Sequence, residues 1–178
     1  VDADGKAYTR SEGLAMVALR MLQAGLLGRK KVEAESLSRL SINDLAQGLQ
    51  VSSKNPIIGL EGRVQLLRNL AQTLLENGFT RPSDFLDNLL NTHKNEIPLT
   101  SLWSVVVEVF GKIWPDSSGL GLGDAWRHES LGIIVPFHKL SQWLTYSLIE
   151  PIQVFAEYQG KPVKITGTDA LTGLPEYR

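Results

Sequence analysis

Two stretches of the sequence concentrate side chains able to bind or transform a ligand. The first runs Gly123-Asp124-Ala125-Trp126-Arg127-His128 and resumes at Val135-Pro136-Phe137-His138-Lys139-Leu140-Ser141-Gln142-Trp143-Leu144-Thr145-Tyr146, continuing to Glu150-Pro151. Pro136 has the residue type favoured at the first position of a helix. A helix is therefore predicted from Phe137 past Glu150, with Pro151 kinking or restarting it. At about 100° per residue, Phe137, Leu140, Leu144 and Leu148 share one side. His138, Gln142, Tyr146 and Glu150 follow one another at i+4 on the other side, drifting about 40° per step, with Lys139 inside the same arc. An exposed helix face is usually rich in Lys, Glu and Ala. A face of His, Gln and Tyr, with Trp143 and Thr145 nearby, fits a semi-buried polar cleft in which His138 or Lys139 meets an anionic or polar group. The plainer reading is that these are core polar groups paired with the protein itself.

Asp124 and His128 stand at i and i+4 if their segment is helical, and an Asp so placed can orient a His ring or raise its pKa. The glycines of Asp-Ser-Ser-Gly-Leu-Gly-Leu-Gly-Asp, residues 116–124, are not a Walker loop, because no Gly-Lys-Ser/Thr closes the run. They read as a tight loop. His128 and His138 do not have the spacing of a known metal site, so no metal is expected. The second stretch is Gly173-Leu174-Pro175-Glu176-Tyr177-Arg178. There a carboxylate and a guanidinium flank a Tyr on a Pro-stiffened loop, which could hold a sugar or phosphate; the alternative is a surface turn.

The elements that must position these residues are mainly helical. Leu14, Val17, Ala18, Met21 and Leu22 recur at helical spacing after Ser11-Glu12, with Gly25 as the stop. Gly28 to Lys31 is a short basic break. A short helix is expected from Ser41 or Asn43 to Leu49. Leu60, Val64, Leu67, Leu70, Ala71 and Leu74 form one apolar stripe closed by Gly78. Pro82-Ser83-Asp84 starts a helix over Phe85 to Leu90, and His93 to Glu96 reads as a solvated loop. Leu99 through Trp103, Val106, Val107, Phe110 and Ile113 to Trp114 reads as a buried helix ended by Pro115, with Trp103 and Trp114 as core or helix-end anchors. Gly160-Lys161-Pro162 is a turn, and Val163 to Thr166 alternates as a short edge strand. The fold class expected is mainly α, one helical domain over residues 1–178 with a short edge strand near residues 163–166.

Composition removes several classes of function. Of 178 residues, 43% are hydrophobic and 21% charged, which supports a real core. Eighteen Lys and Arg against 19 Asp and Glu leave a net charge of −1, so no basic footprint for nucleic acid is present. With no cysteine, disulfides, zinc–thiolate sites and thiol nucleophiles drop out. No apolar run reaches the roughly 20 residues a bilayer span needs, no secretory leader is visible, and no cofactor motif is found. The expectation is a protein of the cytoplasm, or of the nucleus as well in a fungal host, that associates with neither membrane nor nucleic acid. Nothing in the sequence sets its oligomeric state.

GDAWRH at Gly123 to His128, VPFHKLSQWLTYSLIEP at Val135 to Pro151 and TGLPEYR at Thr172 to Arg178 resemble the signature blocks of a domain-of-unknown-function family of fungi and bacteria linked to uracil catabolism. The blocks fall in 123–151 and 172–178; the helix at Leu60 to Leu75 fits more loosely. In that family more chain follows TGLPEYR, so the resemblance implies a fragment of a longer protein. It also implies a place in the pyrimidine ring-opening route, where uracil passes through a nucleotide-level intermediate to a ribosylurea-type compound. A more distant similarity to queuosine-salvage glycosidases implies a helical DNA-glycosylase-like architecture.

The chemistry so implied is hydrolysis of a C–N, N-glycosidic bond in a pyrimidine-derived or sugar-phosphate ligand. Its oxocarbenium-like transition state needs a carboxylate facing the anomeric carbon or activating water. Asp124 or Glu176 is the expected carboxylate. His138, Lys139 and Arg178 are the expected polar or phosphate contacts, with His128 and Tyr177 beside them. Gln142 and Tyr146 would orient the leaving group, and Trp126 or Trp143 would form the aromatic wall. The rival expectation is a non-catalytic nucleotide-binding sensor or partner in the same route. A third is a purely structural helical domain without an enclosed polar pocket.

Overall fold

The computed structural model describes residues 8, 10–114, 125–136 and 138–171. Among these the fold is mainly α, with seven α-helices and four short strands. The chain divides into two compact units, Val1–Pro82 and Ser83–Arg178.

The first unit holds α1 (Arg10–Gln23), α2 (Ala34–Arg39), α3 (Ile42–Gly48) and α4 (Leu60–Glu76). Its core gathers Met21, Leu40, Leu45, Leu49 and Val64, with Val17, Leu60 and Leu67 packed around them. The apolar stripe of α4 is therefore turned inward as its spacing requires. Leu14 of α1, by contrast, is exposed. Gly25 and Gly78 adopt φ of 78° and 72° just past α1 and α4, the left-handed geometry that ends a helix and that a Cβ opposes. Helix α2 was not expected from the sequence. It is six residues long and buries only Ala34 and Leu37, too few turns for a period to show. Its first amide donates to the Thr80 carbonyl at 2.8 Å. At its other end, the Arg68 guanidinium donates twice to the Leu40 carbonyl, at 3.1 and 2.8 Å. Tertiary hydrogen bonds thus hold a helix too short to stand alone.

Helix α3 begins with a capping box. Ser41 Oγ accepts from the Asp44 amide at 3.1 Å, and the Asp44 carboxylate accepts from the Ser41 amide at 3.0 Å and from its hydroxyl at 2.6 Å. The hydroxyl bond first, and then the amide bond, lower the pKa of Asp44 below its ordinary 3.8. A carboxylate with a depressed folded pKa contributes stability above its unfolded pKa and loses it as pH falls through the folded value. Ser41→Ala is expected to cost about 1 kcal/mol at pH 7 through the lost cap. It is also expected to flatten the fall in stability below about pH 4, the unfolded value for Asp. Urea unfolding of both proteins between pH 7 and pH 2.5 checks this; parallel curves would exclude the coupling.

The second unit holds α5 (Asp84–His93), β1 (Glu96–Pro98), α6 (Leu99–Glu108) with a 3₁₀ turn at Phe110–Ile113, β2 (Ala125–His128), β3 (Ile133–Pro136), α7 (Lys139–Tyr158) and β4 (Lys164–Thr166). Phe85 of α5 meets Phe110 edge to face, ring centres 5.4 Å apart. Leu99, Leu102 and Val106 of α6 are buried, so the valine-rich segment is a helix, as its length and spacing favoured. The expected strand near residue 163 is β4. Its partner is β1, in parallel register with Ile97 opposite Ile165. That pairing corrects the solvated loop expected at His93–Glu96: His93 closes α5, Glu96 opens β1, and the Asn95 carbonyl accepts from the Lys164 amide at 2.9 Å.

One conditional reading is resolved and one further expectation is overturned. The segment 125–128 is extended rather than helical, because β2 pairs antiparallel with β3, Ala125 opposite Pro136 and His128 opposite Ile133. The helical condition for an i, i+4 pairing of Asp124 with His128 is not met over 125–128, and Asp124 itself lies outside the described residues. Pro136 closes β3 instead of opening a helix, at the end of a strand in a two-stranded sheet, where proline is tolerated. Helix α7 starts only at Lys139, after His138 has turned left-handed at φ 48° and ψ 24°. From there it runs through Pro151 to Tyr158.

Candidate functional site

Helix α7 carries most of the described candidate residues, and its packing decides which of them face inward. Its buried positions are Ser141, Gln142, Thr145, Ile152 and Ala156. Leu140 is 44% exposed, while Leu144 and Leu148 are half-buried. The leucine side is therefore not the inward side. Helix α7 packs on α6, and the buried side of its first half is polar: Ser141, Gln142 and Thr145. Ser141 and Thr145 are small, and the Thr145 hydroxyl donates to the Ser141 carbonyl at 2.8 Å. That internal bond lets a polar side chain be buried without an unmet donor.

His138 caps this polar side. Its carbonyl accepts the Gln142 amide at 2.9 Å, the first turn of α7. Its half-buried ring stands edge to face with Trp103 of α6, centres 5.5 Å apart and planes at 88°. Gln142 follows one turn on, with a side-chain oxygen shielded from solvent. Tyr146 lies one turn further, half-buried, and its hydroxyl donates to the Thr168 carbonyl at 3.0 Å. Thr168 belongs to the turn after β4, where the Ala170 amide bonds the Gly167 carbonyl at 3.0 Å. The Gln153 side chain accepts the Ile165 amide at 2.9 Å, so α7 holds β4 and the following turn at two points. His138, Gln142 and Tyr146 are thus brought to one side of α7, between α6 and the segment that leads towards Thr172.

The other candidates stand elsewhere. Lys139 and Glu150 are exposed, and Trp143 is 60% exposed. Trp143 is next to Gln142 in sequence and so points about 100° away from it. His128 is exposed at the end of β2. Trp126 occupies β2 opposite Val135 through its backbone; its side chain lies outside the described residues. Asp124, Phe137, Glu176, Tyr177 and Arg178 also lie outside them, as does the glycine-rich run 116–124. The β2–β3 register sets Ala125 across from Pro136, two residues ahead of His138, so the hairpin joins the end of the first signature block to the start of the second. Two positions of this arrangement escaped the sequence. Trp103 looked like an ordinary core anchor, and the role of Thr168 rests on a carbonyl that no side-chain pattern reports.

No group of three metal-ligating side chains gathers among the described residues, and no helix there is long and apolar enough to cross a membrane. One open cleft of about 450 Å³ lies in the second unit, lined by Asp87, Asn91, Lys94, Lys161 and neighbours. It includes none of the candidate residues.

Tyr146→Phe is expected to remove about 0.5–1 kcal/mol, the net value of one partly solvated hydrogen bond. The amide of Ala170 is expected to exchange faster while those of α6 do not change. Hydrogen exchange resolved by residue tests this, and unchanged protection at Ala170 would show that the tether is idle.

Residues 2–178 match the family model described as "Protein of unknown function (DUF1688)", and the chain belongs to that family. Among curated proteins it is similar to "Protein urg3" of Schizosaccharomyces pombe, with 40% identity over 186 residues, covering 98% of this chain and 45% of that protein. It is also similar to "Uracil catabolism protein 4" of Lachancea kluyveri, with 35% identity over 202 residues, 97% of this chain and 45% of that protein. The chain thus spans less than half the length of either relative. No solved structure matches it.

Proposed function

We propose that this chain is part of a protein of uracil catabolism that hydrolyses a C–N bond in a ribosylurea or nucleotide-like intermediate. The observation that carries the pathway is the 35% identity, over 97% of the chain, to a relative named for uracil catabolism. The finer reading, an N-glycosidic hydrolysis, rests on the residue types of the signature blocks. In that reaction Asp124 or Glu176 accepts a proton from water as its oxygen bonds the anomeric carbon. The C–N bond breaks, its electron pair goes to the departing nitrogen, and that nitrogen takes up a proton. His138, beside Trp103, is the side chain we assign to proton exchange with the leaving nitrogen. Gln142 and Tyr146 belong to the same side of α7, and Arg178 or Lys139 would meet a phosphate.

A second reading, a non-catalytic nucleotide-binding partner in the same route, is favoured by two observations. Tyr146 already spends its hydroxyl on the Thr168 carbonyl, and Lys139 and Trp143 are exposed. The test is incubation of this chain, and of the full-length fission yeast relative, with uridine monophosphate, ribosylurea phosphate and queuosine-type nucleotides. Released urea, base and sugar phosphate are followed by mass spectrometry, and binding by calorimetry. Release supports the hydrolase; binding without release across the panel supports the second reading.

A further inference from the structure

Helix α7 has a second face that the candidate site does not use. Leu140, Trp143, Val154, Phe155 and Tyr158 are 44%, 60%, 59%, 59% and 85% exposed. With exposed Pro151 they fall within an arc of about 120° along the 20-residue helix. Scattered surface apolar residues are ordinary, but an arc that gathers Trp143, Phe155 and Tyr158 with exposed Leu140 and Val154, interrupted only by Ser147, signals a covered face. Its charged flank holds one Lys, Lys139, and two acids, Glu150 and Glu157, a balance that disfavours an anionic lipid surface. The two relatives decide the occupant. Both match essentially all of this chain, yet in each the matched part is only 45% of the protein. More than half of each family polypeptide is therefore available to pack on the part seen in this chain.

We infer that the outer face of α7, centred on Leu140, Trp143 and Val154, is the internal docking surface for the portion of the family polypeptide beyond the matched stretch. That portion presents an apolar face to it within the same molecule. The stripe begins inside the block Val135–Pro151, so α7 would join the candidate site on one side to the rest of the protein on the other. This gives a physical reason for an exposed Trp in a signature block, and it does not depend on whether the site is catalytic.

A photo-crosslinking amino acid placed at Trp143 in this chain, and at the aligned position of the full-length fission yeast relative, tests the inference. Irradiation of the relative at high dilution is expected to give intramolecular crosslinks that map outside its matched stretch. As a second measurement, Val154→Cys supplies a unique thiol in this cysteine-free chain. The equivalent thiol in the full-length relative, with its native cysteines replaced, is expected to react with maleimide at least about tenfold more slowly, as a buried position does. Crosslinks to a second copy, crosslinks confined to the matched stretch, or equal labelling rates in both proteins would each overturn it.

Discussion

Asp124→Asn and Glu176→Gln, made separately in the full-length relative at the aligned positions and in this chain, are expected to single out one carboxylate. Loss of that group lowers release of urea or base by about 10²–10⁴-fold, the usual contribution of a positioned general acid or base. The other substitution has a small effect. Both replacements keep size and hydrogen-bonding shape and remove only the charge, so ligand affinity should change by no more than about tenfold, one weak polar contact. The expectation follows from the transition state: positive charge develops at the anomeric carbon only as the C–N bond breaks, so the carboxylate acts on turnover more than on binding. The measurement is single-turnover product formation beside calorimetric binding of the same ligand. If neither substitution changes turnover in an active protein, the carboxylate lies elsewhere and both assignments fall. If no protein turns over while all bind, the chain belongs to a binding module.

Leu102→Ala is expected to destabilise the second unit by about 3–4 kcal/mol, within the range for truncating a fully buried leucine in a packed core. Leu102 has no exposed surface, and Leu99 and Val106 share its buried side of α6. The loss joins the transfer free energy of the removed carbons to the cavity they leave. Since α6 packs on α7, the same variant should loosen the seam that holds His138 and Gln142. Leu140→Ala is the contrast. Leu140 is 44% exposed, and its loss should cost less than about 1 kcal/mol, as surface substitutions do. Chemical denaturation of the two variants checks the pair. Equal costs would mean that the leucine side of α7 is buried after all, contrary to the packing described above.

The sequence alone determined that the chain is mainly helical, without disulfides and near-neutral in net charge. It also determined the stripe of α4, the ends of α1 and α4 at Gly25 and Gly78, the helical state of the valine-rich α6 and the strand near residue 163. These rest on local physics: apolar period, end residues and turn chemistry act over a few neighbours and can be read one segment at a time. The family blocks, too, are a property of the sequence.

Tertiary structure decided the rest. Helix α2 exists because Thr80 and Arg68 hydrogen-bond its two ends. Residues 125–128 are extended because β3 lies beside them, and that same pairing delays α7 until His138 has turned left-handed. The inward face of α7 holds Ser141, Gln142 and Thr145 rather than its leucines, and the packing of α7 against its neighbours selects that face. Helical period alone places Leu140 and Gln142 on different sides, but which side is buried depends on what packs there. That is a long-range choice, made when α6 and α7 meet, and it separates the seam carrying His138, Gln142 and Tyr146 from the outer face carrying Trp143.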